Sequence, residues 1–236
     1  MPDSRWIRLG AVAGIGYVLV AIIAAGIPGA PPAADGKATT YQNYFIEKHD
    51  LLVAQAWMYA LAAPLMLIFA VSVRRILRKS DDGGYLSELF LIGSAAIAGL
   101  LVVAMAMQIV VAQRADGLPA EVVFTVGAHF VGVLIGLWGF IMGATAFAYA
   151  FCVFAYGVLP RWTAYLALLA LAVNVMSTAG VFFRTGPFCL EGGFSAWAPA
   201  ASTVLWYLGT SIAILRTRDH PELPLDPADQ KSTTRI

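Results

Sequence analysis

The stretch LLVAQAWMYALAAPLMLIFAVSVRRILRK, residues 51–79, decides the fold. From Leu51 to Val73 it runs 23 residues without a charge, then meets Arg74, Arg75, Arg78 and Lys79. A run of about 20 apolar residues crosses the hydrocarbon of a bilayer as a helix. A basic cluster directly after such a run marks the cytoplasmic side. Five further segments have the same character: Leu9–Ile27, Leu86–Val111, Val122–Val158, Trp162–Phe183 and Trp197–Leu215. The chain is 60% hydrophobic and 12% charged, against about 25% charged residues in a soluble domain. These runs predict an all-α, polytopic six-transmembrane-helix bundle over residues 1–218. Residues 219–236, with Pro221, Pro224 and Pro227 among polar residues, read as a flexible cytoplasmic tail.

Charge sets the expected orientation. Eleven of the fifteen Lys and Arg residues fall before the first segment, after the second, between the fourth and fifth, or after the sixth. Lys37, Lys48, Arg114 and Arg184 occupy the alternate loops. The positive-inside rule then predicts both termini in the cytoplasm and a multi-pass protein of the cytoplasmic (inner) membrane. The block after Arg5 and Arg8 exceeds the usual 7–15 apolar residues of a secretory signal, which favours an uncleaved first helix. Net charge is +1, and without a basic stripe a nucleic-acid partner is not expected. Two cysteines, Cys152 and Cys189, fall near opposite membrane faces and give no disulfide framework.

The longest outer loop, Pro28 to Asp50, passes through Tyr41-Gln42-Asn43-Tyr44-Phe45-Ile46. Aromatic residues at this level suit the headgroup zone. The segment reads as a short helix, either an interfacial anchor or a piece folded over the bundle mouth. Asp81-Asp82-Gly83-Gly84 reads as a plain cytoplasmic turn. From Glu121 to Val158 the fourth segment spans 38 residues, roughly 57 Å as a helix. Gly132, Gly136, Gly139 and Gly143 share one face of it. Small residues let a neighbouring backbone approach, so the face predicts a packing seam and a central, most enclosed fourth helix.

Polar side chains inside a membrane are costly and usually face the interior. Here they gather in the expected outer half: Gln55, Gln108, Thr125, His129, Asn174, Ser177, Thr178, Ser202 and Thr203. Counting α-helical phase back from Gly132 puts His129 beside the glycine seam, facing inward. Two readings stay open. The groups are interhelical glue, or they line an outward-facing cavity with ligand-binding residues Gln55, Tyr59, Gln108, His129, Trp138, Asn174, Ser177, Arg184 and Trp206. Serine and threonine in the inner half (Ser72, Ser94, Thr145, Thr210, Ser211) are expected to satisfy themselves on backbone carbonyls.

Composition excludes several chemistries. No lysine lies in a span, so a retinal Schiff base has no anchor. Only His129 falls within the hydrocarbon, too few axial ligands for a haem between helices. There is no H-E-x-x-H motif, and no Asp or Glu falls near mid-membrane. No cofactor and no metal site is expected. The functional expectation is a protein that binds an amphiphilic lipid- or isoprenoid-like molecule, with membrane lipid around it and a homo-oligomer as a possible assembly. One alternative is a membrane-embedded enzyme acting on such a molecule, for example by acid-initiated terpene cyclisation, with catalytic candidates Glu47, Asp50, Glu191 and His129. Another is an accessory membrane subunit.

Short motifs carry one resemblance. Tyr44-Phe45-Ile46-Glu47-Lys48-His49, Val73-Arg74-Arg75-Ile76-Leu77-Arg78, Leu159-Pro160-Arg161-Trp162 and Gly192-Gly193-Phe194 are similar to segments of uncharacterised bacterial six-helix integral membrane proteins. That resemblance implies the six-helix fold and a membrane location. It implies no activity and no catalytic residue.

Overall fold

Six helices in the computed structural model are long and apolar enough to cross a membrane: Arg5–Gly26, His49–Arg78, Tyr85–Arg114, Ala120–Tyr156, Arg161–Phe182 and Gly193–Arg216. The structure describes residues 2–29, 31–32, 37–79, 81, 83–183, 185–190 and 192–217. The tail 219–236, Arg184 and Glu191 lie outside the described residues. The chain is an all-α, polytopic membrane protein. Its elements are α1 (Pro2–Gly26), α2 (Ala38–Glu47), α3 (His49–Arg78), α4 (Tyr85–Arg114), α5 (Ala120–Phe124), α6 (Val131–Tyr156), α7 (Arg161–Thr178) and α8 (Gly193–Thr217). A π-helical turn, Thr125–Phe130, joins α5 to α6, and a 3-10 turn, Ala179–Phe182, extends α7.

The long helices form a ring in chain order. α1 packs on α3, α3 on α4, α4 on α6, α6 on α7, α7 on α8, and α8 closes back on α1. No helix is therefore central. The fourth span is not the most enclosed: 33% of its most apolar window is buried, against 50% for α8. A ring member spends one face on neighbours and one on its surroundings, which corrects the sequence expectation. The glycine seam does pack closely. A side chain at Gly139 would strike the backbone carbonyl of Asn174 on α7, and one at Gly143 would meet Val175 at 2.7 Å.

Local chemistry sets the helix ends at the basic face of the bundle. Asp81, expected in a plain turn, is buried, and its Oδ2 accepts a hydrogen bond from the Ser87 amide at 2.9 Å. That bond satisfies one of the amides left open at the start of α4. Gly84 sits at φ +69, a left-handed conformation open to glycine. Arg74 of α3 pairs with Glu88 of α4, joined by Arg78 at 3.0 Å. Gly157, also left-handed, ends α6, and Pro160 precedes α7.

At the opposite face, α2 is docked on protein rather than lying free as an interfacial anchor. Gln42 Nε2 donates to the carbonyls of Ala115 and Leu118, each at 2.7 Å, in the turn between α4 and α5. Tyr41 and Phe45 are buried with Val111, Ala112, Val123 and Ala128 in a second small core. Gly127 makes room for this, since its missing side chain leaves space for the Phe45 and Tyr41 rings.

Candidate functional site

The polar residues of the half opposite the basic face resolve into two separate ties. In the first, Gln108 Nε2 of α4 donates to Gln55 Oε1 at 3.0 Å and to the Leu52 carbonyl at 3.1 Å, both on α3. Gln55 Nε2 in turn donates to the Ala24 carbonyl of α1 at 3.1 Å. One amide pair thus joins three helices. In the second, Asn174 Nδ2 of α7 donates to Thr203 Oγ1 of α8 at 3.2 Å and to its own Ala170 carbonyl at 2.8 Å. Ser177 donates to the Asn174 carbonyl and Thr178 to that of Val175. The bonds of Gln55 and Gln108 and the Asn174–Thr203 bond join different helices, which is the glue role in atomic form, while Ser177 and Thr178 are satisfied within α7.

The two ties differ in burial. Asn174, Ser177, Ser202 and Thr203 are buried, so the α7–α8 wall is closed. Gln55, Tyr59, Gln108 and Trp138 are half-buried. Among the described residues, nothing donates to Gln108 Oε1. The same stripes are sealed further toward the basic face: Met66 and Phe69 on α3, Ser94 and Ile97 on α4, and Met142 and Tyr149 on α6 are all buried.

His129 departs from expectation. It is exposed, and its ring meets the Phe124 ring edge-on at 4.7 Å. Thr125 is exposed as well. Both sit in the π-helical turn, where i→i+5 bonding widens the helix and shifts residue phase relative to an α-helix. Counting back from Gly132 with an α-helical period therefore turned His129 the wrong way. The acid candidates lie at the surface. Glu47 ends α2 and is exposed, and Asp50 Oδ1 is 2.8 Å from His49 Nδ1 with its side chain open to the surroundings. Arg184 and Glu191 fall outside the described residues.

Sequence reading picked out Trp206 but missed Tyr207 and Tyr149, which complete the floor beneath Gln55 and Trp138. Trp206 and Tyr207 of α8 are buried among Tyr17 of α1, Phe69 of α3, Phe90 of α4 and Tyr149 of α6. Tyr207 stacks on Phe69 at 4.6 Å and tilts on Tyr17 at 5.0 Å. Trp206 meets Tyr149 and Phe90 edge-on at 5.3 and 6.3 Å. Tyr149 donates to Thr163 Oγ1 at 2.8 Å and accepts from Thr210 Oγ1 at 3.0 Å. A signal existed: Tyr149 and Tyr207 lie deep in apolar runs, away from the interfacial belts where tyrosine is usual. A mid-membrane tyrosine needs an interior partner.

No protein-family model, curated protein or solved structure matches this chain. The resemblance to uncharacterised six-helix membrane proteins thus rests on its short motifs alone.

Proposed function

We propose that the protein sits in the cytoplasmic membrane with both termini in the cytoplasm, and holds an amphiphilic lipid- or isoprenoid-like molecule in a recess open to the other side. The orientation is supported by charge. Arg5, Arg8, Arg74, Arg75, Arg78, Lys79, Arg161 and Arg216 belong to one face of the bundle, and positive loops stay cytoplasmic.

The recess reading is supported by one observation, a set of half-buried side chains from three spans at one depth in the half of the bundle opposite the basic face. Gln55, Tyr59, Gln108 and Trp138 are half-buried, between Met66, Phe69, Met142 and Tyr149, which are closed deeper in the bundle, and Leu52, Val111 and Ala112, which are closed beneath α2. A path sealed by the aromatic floor suits binding better than through-passage. The chemistry of the four residues suits an amphiphile: two aromatic faces for an apolar body, and amide groups for a polar head. The Gln108 carbonyl oxygen offers an acceptor, and Gln55 Nε2 keeps a second hydrogen beyond the one given to Ala24. Of Asn174 and Ser177, expected as ligands, Asn174 locks α7 to α8 in this reading and Ser177 is satisfied on the Asn174 carbonyl within α7.

Native mass spectrometry after mild purification tests the proposal. The wild type should carry a lipid-like adduct that Trp138→Ala and Gln108→Leu reduce in protein that remains folded. Loss of the idea follows if the wild type carries nothing beyond bulk phospholipid in its bulk proportions.

A further inference from the structure

α8 carries five buried polar side chains between Thr203 and Ser211, and they divide sharply. Thr203 and Thr210 have partners, in Asn174 and Tyr149. Trp206 Nε1, Tyr207 Oη and Ser211 Oγ are buried and meet no hydrogen-bond partner among the described residues. Elsewhere in this half of the bundle the usual solution is taken. Ser72, Ser94 and Thr145 each donate to the carbonyl four residues back, at 3.1, 2.8 and 2.8 Å. Ser211, expected to do the same, does not.

The three orphans belong to adjacent turns of α8. The Trp206 and Tyr207 rings are 5.4 Å apart, and Ser211 is one turn on from Tyr207. Ser94 of α4, which donates to Phe90, lies beside the Tyr207 hydroxyl with its oxygen free to accept, but the pair does not reach hydrogen-bond geometry. Ser211 Oγ lies where a side chain at Gly14 of α1 would be, with Phe69 alongside. From Tyr207 to Arg216 is nine residues, about 14 Å along the helix, so the cluster is well inside the membrane.

A buried donor without an acceptor costs about 1–3 kcal/mol, and native proteins hold few such groups. Three within six positions of one helix call for an occupant. Its chemistry follows from the donors. The indole N–H can only donate, so the occupant must accept. The surrounding side chains, Tyr17, Phe69, Phe90, Ser94 and Tyr149, are neutral, and a buried charge with no counter-charge is strongly disfavoured.

We propose that Trp206, Tyr207 and Ser211 form an internal site for a neutral hydrogen-bond acceptor oxygen, supplied by ordered water or by the carbonyl of a membrane-dissolved small molecule. The site is distinct from the recess bounded by Gln55, Gln108, Tyr59 and Trp138, and either can exist without the other. In a filled site, Tyr207→Phe and Ser211→Ala each remove a bond and lower the melting temperature, by about 2–4 °C for each bond of 1 kcal/mol. With no occupant, the same changes delete an unsatisfied hydroxyl and leave the melting temperature level or higher.

The experiment is thermal unfolding of full-length wild type, Tyr207→Phe and Ser211→Ala in nanodiscs, with Tyr149→Phe as a control that must lower it. Native mass spectrometry and rapid hydroxyl-radical footprinting run beside it. Destabilisation with a neutral adduct lost in Tyr207→Phe supports a carbonyl occupant. Destabilisation without an adduct, but with radical oxidation at Trp206 or Tyr207, supports water. Unchanged or raised stability in both variants overturns the site, as does destabilisation with neither adduct nor oxidation.

Discussion

Gln108 Nε2 lies 3.0 Å from Gln55 Oε1, and this one contact joins α4 to α3 in the half of the bundle opposite the basic face. Its strength is measurable. In a double-mutant cycle of Gln55→Leu and Gln108→Leu, the coupling should be about 0.6 kcal/mol and no more than about 1.7, the range for interhelical hydrogen bonds in lipid. Unfolding by steric trapping or in mixed micelles reads it directly. A coupling indistinguishable from zero means the pair does not tie the helices.

The α6–α7 seam gives a sharper contrast. Alanine at Gly139 would push its methyl group into the Asn174 backbone carbonyl, and backbone cannot swing aside as a flexible side chain does. Destabilisation of about 1–3 kcal/mol is expected from such overpacking. Alanine at Gly99 of α4 meets nothing within 4 Å and should be neutral or mildly stabilising. Equal unfolding free energies for the two variants would show that the seam is looser than described.

Docking of α2 rests on Gln42 and two buried rings. Gln42→Ala removes both bonds to the α4–α5 turn and should cost about 1 kcal/mol. Because α2 is a peripheral element, the loss should appear locally. Hydrogen–deuterium exchange ought to accelerate in residues 38–48 and 111–124 and stay level in α7 and α8. Uniform acceleration across the ring would contradict the local reading.

The spans were legible because their signal is length of apolar run, which any bilayer imposes. Their ends were less so. α3 and α4 continue as helix to Arg78 and Arg114, beyond the apolar blocks ending at Val73 and Val111, since backbone bonding outlasts the hydrocarbon. Of the site, the identity of Gln55, Gln108 and Asn174 as interior groups could be read from their rarity in lipid. Their partners could not, because which carbonyl a side-chain amide reaches depends on how helices from distant parts of the chain pack. His129 was misplaced for a different reason: nothing in Thr125–Phe130 announces an i→i+5 turn, and one such turn resets the phase of everything before it. Asp81 looked like a solvated turn residue and is a buried cap.

The most direct test is a scan of single cysteines at 55, 59, 66 and 69 along α3, in a protein with Cys152 and Cys189 replaced by alanine. A membrane-impermeant thiol reagent is applied to sealed right-side-out and inverted vesicles. Positions 55 and 59 should label from the non-cytoplasmic side, with 66 and 69 silent from either side. Labelling of 59 only from the cytoplasmic side, or silence at all four positions, would contradict a recess that opens outward above an aromatic floor.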